Sequence, residues 1–230
     1  MDLETVKQEI GAFAAQLAPQ TGRIGLGTGT TSVEFIKSLS VLYSKGTYGI
    51  ECVASSLETE LLAKTKGLPV LDSKNWNGEL DVTFDGADAV DEEGTAIKGA
   101  GGALLREKII AHSSRKFIVM IDERKWKKPW QECSLPVAVV PFGISATLRQ
   151  LQQMGMPGRV RRHGDAPYLT NDGLFIIDIP LTFALHSLSR LDRQLKEIPG
   201  VVETGIFFHF ASEIVIGYGD GKIEHRMVIV

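Results

Sequence analysis

Leu3, Val6, Ile10, Phe13 and Leu17 recur at helical spacing and predict an amphipathic helix, with Asp2 as its N-cap and Pro19 as its stop. A short apolar run, Arg23 to Leu26, predicts a strand. The turn Gly27-Thr28-Gly29-Thr30-Thr31 follows it, and helical periodicity resumes from Ser32 to Leu39. Gly49 to Ser55 reads as a second strand, Glu58 to Lys66 as a helix and Leu68 to Leu71 as a third strand. Leu80 to Phe84 is another strand and ends at a turn beginning with Asp85. Ala103 to His112 is helical, and Lys116 to Ile121 is an apolar strand. Strands alternating with helices predict an α/β fold, a Rossmann-like, mostly parallel sheet with helices on both faces.

The pattern changes after Pro129. Leu135 to Val140 predicts a strand, Ser145 caps a helix to about Met154, and Arg159 to His163 reads as a strand. Asn171-Asp172-Gly173 marks a turn before the strand Leu174 to Ile179. Ser189 to Ile198 is an amphipathic helix ended by Pro199-Gly200, and Val201 opens another strand. The order β-α-β-β-α-β predicts an inserted ferredoxin-like α+β domain. Residues 133–204 are assigned to it, and 1–132 with 205–230 to the Rossmann-like unit. The tail from Gly205 reads as strands returning to the first sheet.

The chain has 230 residues, enough for one substantial core or a large and a small one. A net charge of −3 gives no global basic field, and no basic patch with interleaved aromatics stands out, so nucleic acid is not an expected partner. Cys52 and Cys133 lack metal-ligand spacing and read as reduced thiols. The acidic start, Met1-Asp2-Leu3-Glu4, does not resemble a signal peptide, and no apolar run reaches membrane-spanning length. A cytoplasmic setting is the expectation. His112, His163, His186, His209 and His225 form no ligand-spaced cluster, so no metal is expected.

Candidate chemistry is concentrated in three loops. Gly25 to Thr31 fails the dinucleotide fingerprint, which needs a small third residue where Thr30 or Ser32 stands, and no Gly-Lys-Ser/Thr follows to make a P-loop. What remains is a small-residue turn at a helix N-terminus, suited to one phosphate or to a tight structural turn capped by threonine. Asp85-Gly86-Ala87-Asp88 lies at the carboxyl end of a strand, where open α/β sheets bind ligands. Asp91, Glu92 and Glu93 read as a solvated acidic loop. Lys98-Gly99-Ala100-Gly101-Gly102 offers successive N–H groups to an oxyanion, and Glu107 follows a turn or so into the next helix. The set suits proton transfer next to a carbonyl on a phosphorylated substrate, without metal or organic cofactor.

These motifs, in this order, resemble ribose-5-phosphate isomerases of the A type. Gly25 to Thr31 resembles that family's phosphate loop, Asp85-Gly86-Ala87-Asp88 its DGAD turn, and Lys98 to Lys108 its KGGGGALxREK block. Leu135-Pro136-Val137, Pro141-Phe142-Gly143, Thr170 to Gly173 and Pro199 to Glu203 fit it too. The resemblance implies interconversion of D-ribose 5-phosphate and D-ribulose 5-phosphate through a cis-enediolate, in the non-oxidative branch of the pentose phosphate pathway. It implies Glu107 as the base, and Asp85 and Asp88 as contacts to the sugar hydroxyls that assist ring opening. It implies that Lys98 and the N–H groups of Gly99 and Ala100 stabilise the enediolate oxygens, and that Gly86, Ala87 and Gly101 are substrate-binding residues. Thr28, Gly29, Thr30 and Thr31 hold the phosphate, Lys125 binds substrate, and Lys7 is a further phosphate candidate. A homodimer or homotetramer is implied. Ala89, Ala100 and Arg124 depart from the family pattern, and Ala100 requires backbone angles that a Cβ tolerates. A non-catalytic sugar-phosphate sensor is the competing reading, and a nicotinamide-dependent oxidoreductase a third, opposed by the failed fingerprint.

Overall fold

A computed structural model describes residues 1–46, 48–182 and 187–229. Its central sheet has six strands in the order Ile223–Met227, Glu213–Gly217, Ser114–Asp122, Leu80–Gly86, Thr21–Leu26 and Gly49–Ala54. The inner pairings are parallel, and only the hairpin strand Ile223–Met227 runs antiparallel. Both faces are buried, as a parallel sheet requires. Alternate residues of the strand Ser114–Asp122 show it. Ile118 and Met120 join a core with Ile10, Phe35 and Phe84, under the helices Leu3–Gln16 and Thr30–Ser44. Phe117, Val119 and Ile121 face the opposite way, toward Ala111 of the helix Leu104–His112 and toward Phe207. The Asp2 carboxylate caps the first helix by accepting from the Thr5 N–H at 2.8 Å.

The smaller sheet has the order Val201–Thr204, Ser134–Val139, Phe175–Pro180 and Arg159–Val160, with every pairing antiparallel. This is the ferredoxin-like arrangement. One face buries Leu135, Val137, Ile177 and Ile179 under Leu151, Leu188, Leu191 and Leu195 of the helices Ile144–Gln153 and Leu188–Lys196. The other face packs Ala138 and Ile176 on Leu104, the first residue of the helix that carries Glu107. The smaller sheet thus braces the start of that helix.

Four sequence expectations change. Leu68 to Leu71 is no strand. It makes one bridge, Val70 to Cys52, because Pro69 has no N–H to extend a ladder. The helix expected to start at a Ser145 cap starts at Ile144, with Gly143 as N-cap at φ 73° and no capping side chain. Asp85 lies within its strand, which continues to Gly86. Asp91 is half-buried and accepts from the Glu93 and Thr95 N–H groups, so only Glu92 and Glu93 of that loop are solvated. A third sheet of two-residue strands, Ile206–Phe207, Ala96–Ile97 and Ala89–Val90, was not anticipated. Ala89 sits buried in it beside Ile97.

Cys52 and Cys133 are free and buried, and burial pushes the Cys52 thiol up to about 12. His186 lies outside the described residues. Among the described residues, no group of three or more His, Cys, Asp or Glu side chains is placed to hold a metal ion. No described helix is long and apolar enough to cross a membrane.

Candidate active site

Glycine dictates how the first loop meets the strand beside it. A Cβ on Gly27 would lie 2.0 Å from Asp85 Oδ1, so only glycine lets the two strand ends close together. Gly27 N–H donates to the Phe84 carbonyl at 2.9 Å. Asp85 Oδ1 then accepts from the Thr28 N–H at 3.1 Å, the Ser32 hydroxyl at 3.2 Å and the Gly86 N–H at 2.7 Å. Gly29, at φ 122°, turns the chain into the helix Thr30–Ser44. The N–H groups of Thr30, Thr31 and Ser32 have no acceptor among the described residues, as expected at a helix start. The Thr28 hydroxyl is held by Ser55, Ser56 and Thr59 at 2.7, 2.9 and 3.1 Å.

Beneath this turn lies a buried charged triad. Lys98 Nζ is 2.8 Å from Asp85 Oδ2 and 3.2 Å from Glu107 Oε2, and all three side chains are excluded from solvent. Lys98 also donates to the Gly86 carbonyl, and its ammonium lies 5.4 Å from the centre of the Phe207 ring. Neither Asp85 Oδ2 nor Glu107 Oε2 has an aligned hydrogen-bond donor, so both contacts with Lys98 are charge to charge. Burial pushes the Glu107 carboxyl up to about 8; the Lys98 ammonium pulls it back and the Asp85 charge adds to the rise. Burial opposes the Lys98 charge, but Asp85 and Glu107 outweigh it and hold the ammonium above its ordinary range.

A cavity of about 270 Å³ opens above the triad. Thr28, Gly29, Thr30, Thr31 and Ser32 line one side. Gly86, Ala87, Asp88, Lys98, Gly99, Ala100, Gly101, Glu107 and Lys125 line the rest. The structure therefore gathers nearly all the sequence candidates around one space. Asp85 does not line it, because its carboxylate is consumed beneath the floor. Lys7 does not line it either, and its ammonium lies 3.9 Å from Glu4. Burial lowers the Lys125 ammonium despite the opposing Asp122 and Asp88 charges. Arg124 turns away onto Asp122 at 2.7 Å and leaves the cavity to Lys125. Ala100 avoids positive φ, so its Cβ is tolerated, and its N–H donates to Asp88 Oδ2 at 3.0 Å. Sequence reasoning missed Ser32 as a lining residue; its place in the first turn of the helix was the available signal.

A profile for ribose 5-phosphate isomerase A (phosphoriboisomerase A) matches residues 51–221. Ribose-5-phosphate isomerase A 1 of Oceanobacillus iheyensis is 36% identical, over 94% of this chain and 96% of its own length. The chain belongs to the ribose 5-phosphate isomerase A family. A Picrophilus torridus member is 39% identical over 95% of this chain and 96% of its own. Solved structures of the family superpose closely. The enzyme from Methanocaldococcus jannaschii gives a TM-score of 0.90 at 30% identity, covering 98% of this chain and 100% of its own. A D-ribose-5-phosphate isomerase in complex with phospho-erythronic acid gives 0.91 at 33% identity, covering 99% and 100%.

Proposed function

We propose that Glu107 is the base with which this chain performs its family's reaction. That reaction is the interconversion of D-ribose 5-phosphate and D-ribulose 5-phosphate, a step of the pentose phosphate pathway. The observation that carries the proposal is a buried, donor-free Glu107 oxygen held 3.2 Å from Lys98 on the wall of a cavity whose other wall is a helix N-terminus. A pentose phosphate placed there reaches both features. Its anion takes the free N–H groups of Thr30, Thr31 and Ser32 and the positive end of that helix.

Glu107 then takes the proton from C2 of the open-chain aldose and returns it to C1, while the O2 hydroxyl proton passes to O1, so that C1 becomes a hydroxymethyl and C2 the ketone. Between the two transfers, negative charge collects on the oxygens of a cis-enediolate. Lys98 and the N–H groups of Gly99 and Gly101 stabilise that charge. A positioned base is worth about 10²–10⁴ in rate, and donors aimed at the enediolate supply a similar factor. Asp88 lines the cavity and is placed to meet a sugar hydroxyl. Asp85 acts from beneath, by fixing Lys98 and the Thr28 turn. Lys125 adds a cation near the substrate, and the mechanism asks nothing of a metal or cofactor.

The sheets support a division into a catalytic unit, 1–132 with 205–230, and a smaller unit, 133–204. A cytoplasmic homodimer or homotetramer belongs to the same reading. Phe142, 92% exposed, supplies an apolar point for self-association, and sedimentation at several concentrations tests it. The central test is exchange of the C2 proton with deuterated solvent. The wild type exchanges it, Glu107→Gln does not, and exchange by that variant at the wild-type rate removes Glu107 as the base.

A further inference from the structure

The smaller unit reaches the catalytic loop through a guanidinium and a phenol. Arg161 Nη1 donates to the carbonyls of Gly99 at 3.0 Å and Ala100 at 2.8 Å. Its Nε and Nη2 bind the Asp178 carboxylate at 2.9 and 2.5 Å, so the fork is fixed from behind. Tyr168 takes the next carbonyl, Gly101, at 3.2 Å, and its ring lies 5.9 Å from the Arg161 guanidinium. Three consecutive carbonyls of the loop are thus drawn toward the smaller sheet.

A peptide group is planar, with its carbonyl and N–H pointing in opposite directions. Fixing the Ala100 carbonyl therefore aims the Gly101 N–H away from Arg161. That N–H has no acceptor among the described residues, and Gly101 lines the cavity. Fixing the Gly99 carbonyl aims the Ala100 N–H, which holds Asp88 Oδ2. A carbonyl bonded to a cation also makes the N–H of the same peptide a stronger donor.

We infer that Arg161 is a positioning residue for the Gly101 N–H as an enediolate donor, orienting and polarising the Ala100–Gly101 peptide from outside the cavity with Tyr168 as its second point of support. The inference deepens the proposed mechanism and rests on it for the charge that donor meets. It does not depend on which group moves the proton.

The test compares Arg161→Ala and Arg161→Lys with Arg106→Ala in the full chain. Arg106 makes a separate charged link to the smaller unit, three hydrogen bonds to Asp172 at 2.7 to 3.0 Å, and touches no loop carbonyl. The probes are kcat and KM for ribose 5-phosphate, and the affinities for phospho-erythronic acid and for inorganic phosphate. The acid presents a carboxylate where the enediolate charge forms; phosphate reports the anion cradle alone. Arg161→Ala is expected to lower kcat about ten-fold or more with little change in KM. It should weaken phospho-erythronic acid by a similar factor and leave phosphate binding intact. Arg161→Lys, which keeps the charge but loses the fork, should fall between; if the alanine variant does not fold, the lysine variant is read by the same measures. Arg106→Ala should leave the ratio of the two affinities unchanged. Equal weakening of both ligands, the same pattern in Arg106→Ala, or an unchanged kcat in Arg161→Ala would each overturn the inference. Because ligand affinity is measured without turnover, it stands or falls separately from Glu107 as the base.

Discussion

Lys98 Nζ stands 3.2 Å from Glu107 Oε2, and both side chains are buried. The ammonium stays charged because Asp85 and Glu107 surround it, while burial favours the protonated form of Glu107. The pair is thus poised for a base that must gain and lose a proton within one turnover.

Activity should follow that poise. A base works only when ionised, and the Glu107 carboxyl is pushed up to about 8 in the free enzyme. Below that pH, kcat/KM should therefore rise about ten-fold per pH unit, levelling off above it. A pH–rate profile of free enzyme and substrate checks this. A flat profile from pH 5 to 9 contradicts it.

Replacing Glu107 by Gln keeps the shape and removes the base. The expected loss in kcat is about 10²–10⁴, with phosphate affinity within a few-fold of wild type. Steady-state kinetics and calorimetry separate the two quantities.

Lys98→Met removes the cation and leaves Asp85 and Glu107 as buried acids without an opposite charge. Stability should fall by about 3–5 kcal/mol, and the apparent pKa governing kcat/KM should move further up. Denaturant unfolding and the pH profile measure these effects. An unchanged midpoint in denaturant would mean that the ion contacts contribute nothing to the fold.

Gly27→Ala forces a Cβ to within 2.0 Å of Asp85 Oδ1. The loop and the aspartate must separate, at a cost of about 1–3 kcal/mol, and the Thr28 and Ser32 bonds to Asp85 are lost. Gly49→Ala is the control: neither glycine has positive φ, and a Cβ on Gly49 meets only the Thr21 side chain at 3.6 Å, an ordinary contact. Comparison of the two by thermal unfolding and by KM isolates the contact at Asp85.

Exhaustive treatment with a chelator should leave turnover of ribose 5-phosphate unchanged, because Lys98 and the loop N–H groups supply the polarising charge. A coupled assay before and after treatment decides it. Strict dependence on added metal would require a different mechanism.

Much of this site was legible in the chain because its parts are local. The helix start at Asp2, the Asp85 turn and the glycine loop after Lys98 each carry their signal within a few residues. The two-residue strands at 89–90, 96–97 and 206–207 were not legible, since so short a run has no period to detect. Leu68 to Leu71 misled because apolar composition alone does not distinguish a strand from a segment that makes one bridge beside Pro69. Arg161 and Tyr168 were invisible for another reason. Their partners lie more than 60 residues away in sequence, and a side chain that binds main-chain carbonyls leaves no complementary residue to notice. The occupation of Asp85 beneath the cavity floor, likewise, depends on three strands meeting.

The smaller unit hydrogen-bonds the 99–101 segment through its carbonyl oxygens, and carbonyls look the same under every side chain. Residue 100 is therefore free to drift from glycine to alanine without loosening those bonds. Positions 99 and 102, with φ of 106° and 82°, have no such latitude. Mutational tolerance along this loop should change abruptly from one residue to the next, following backbone shape rather than closeness to the sugar.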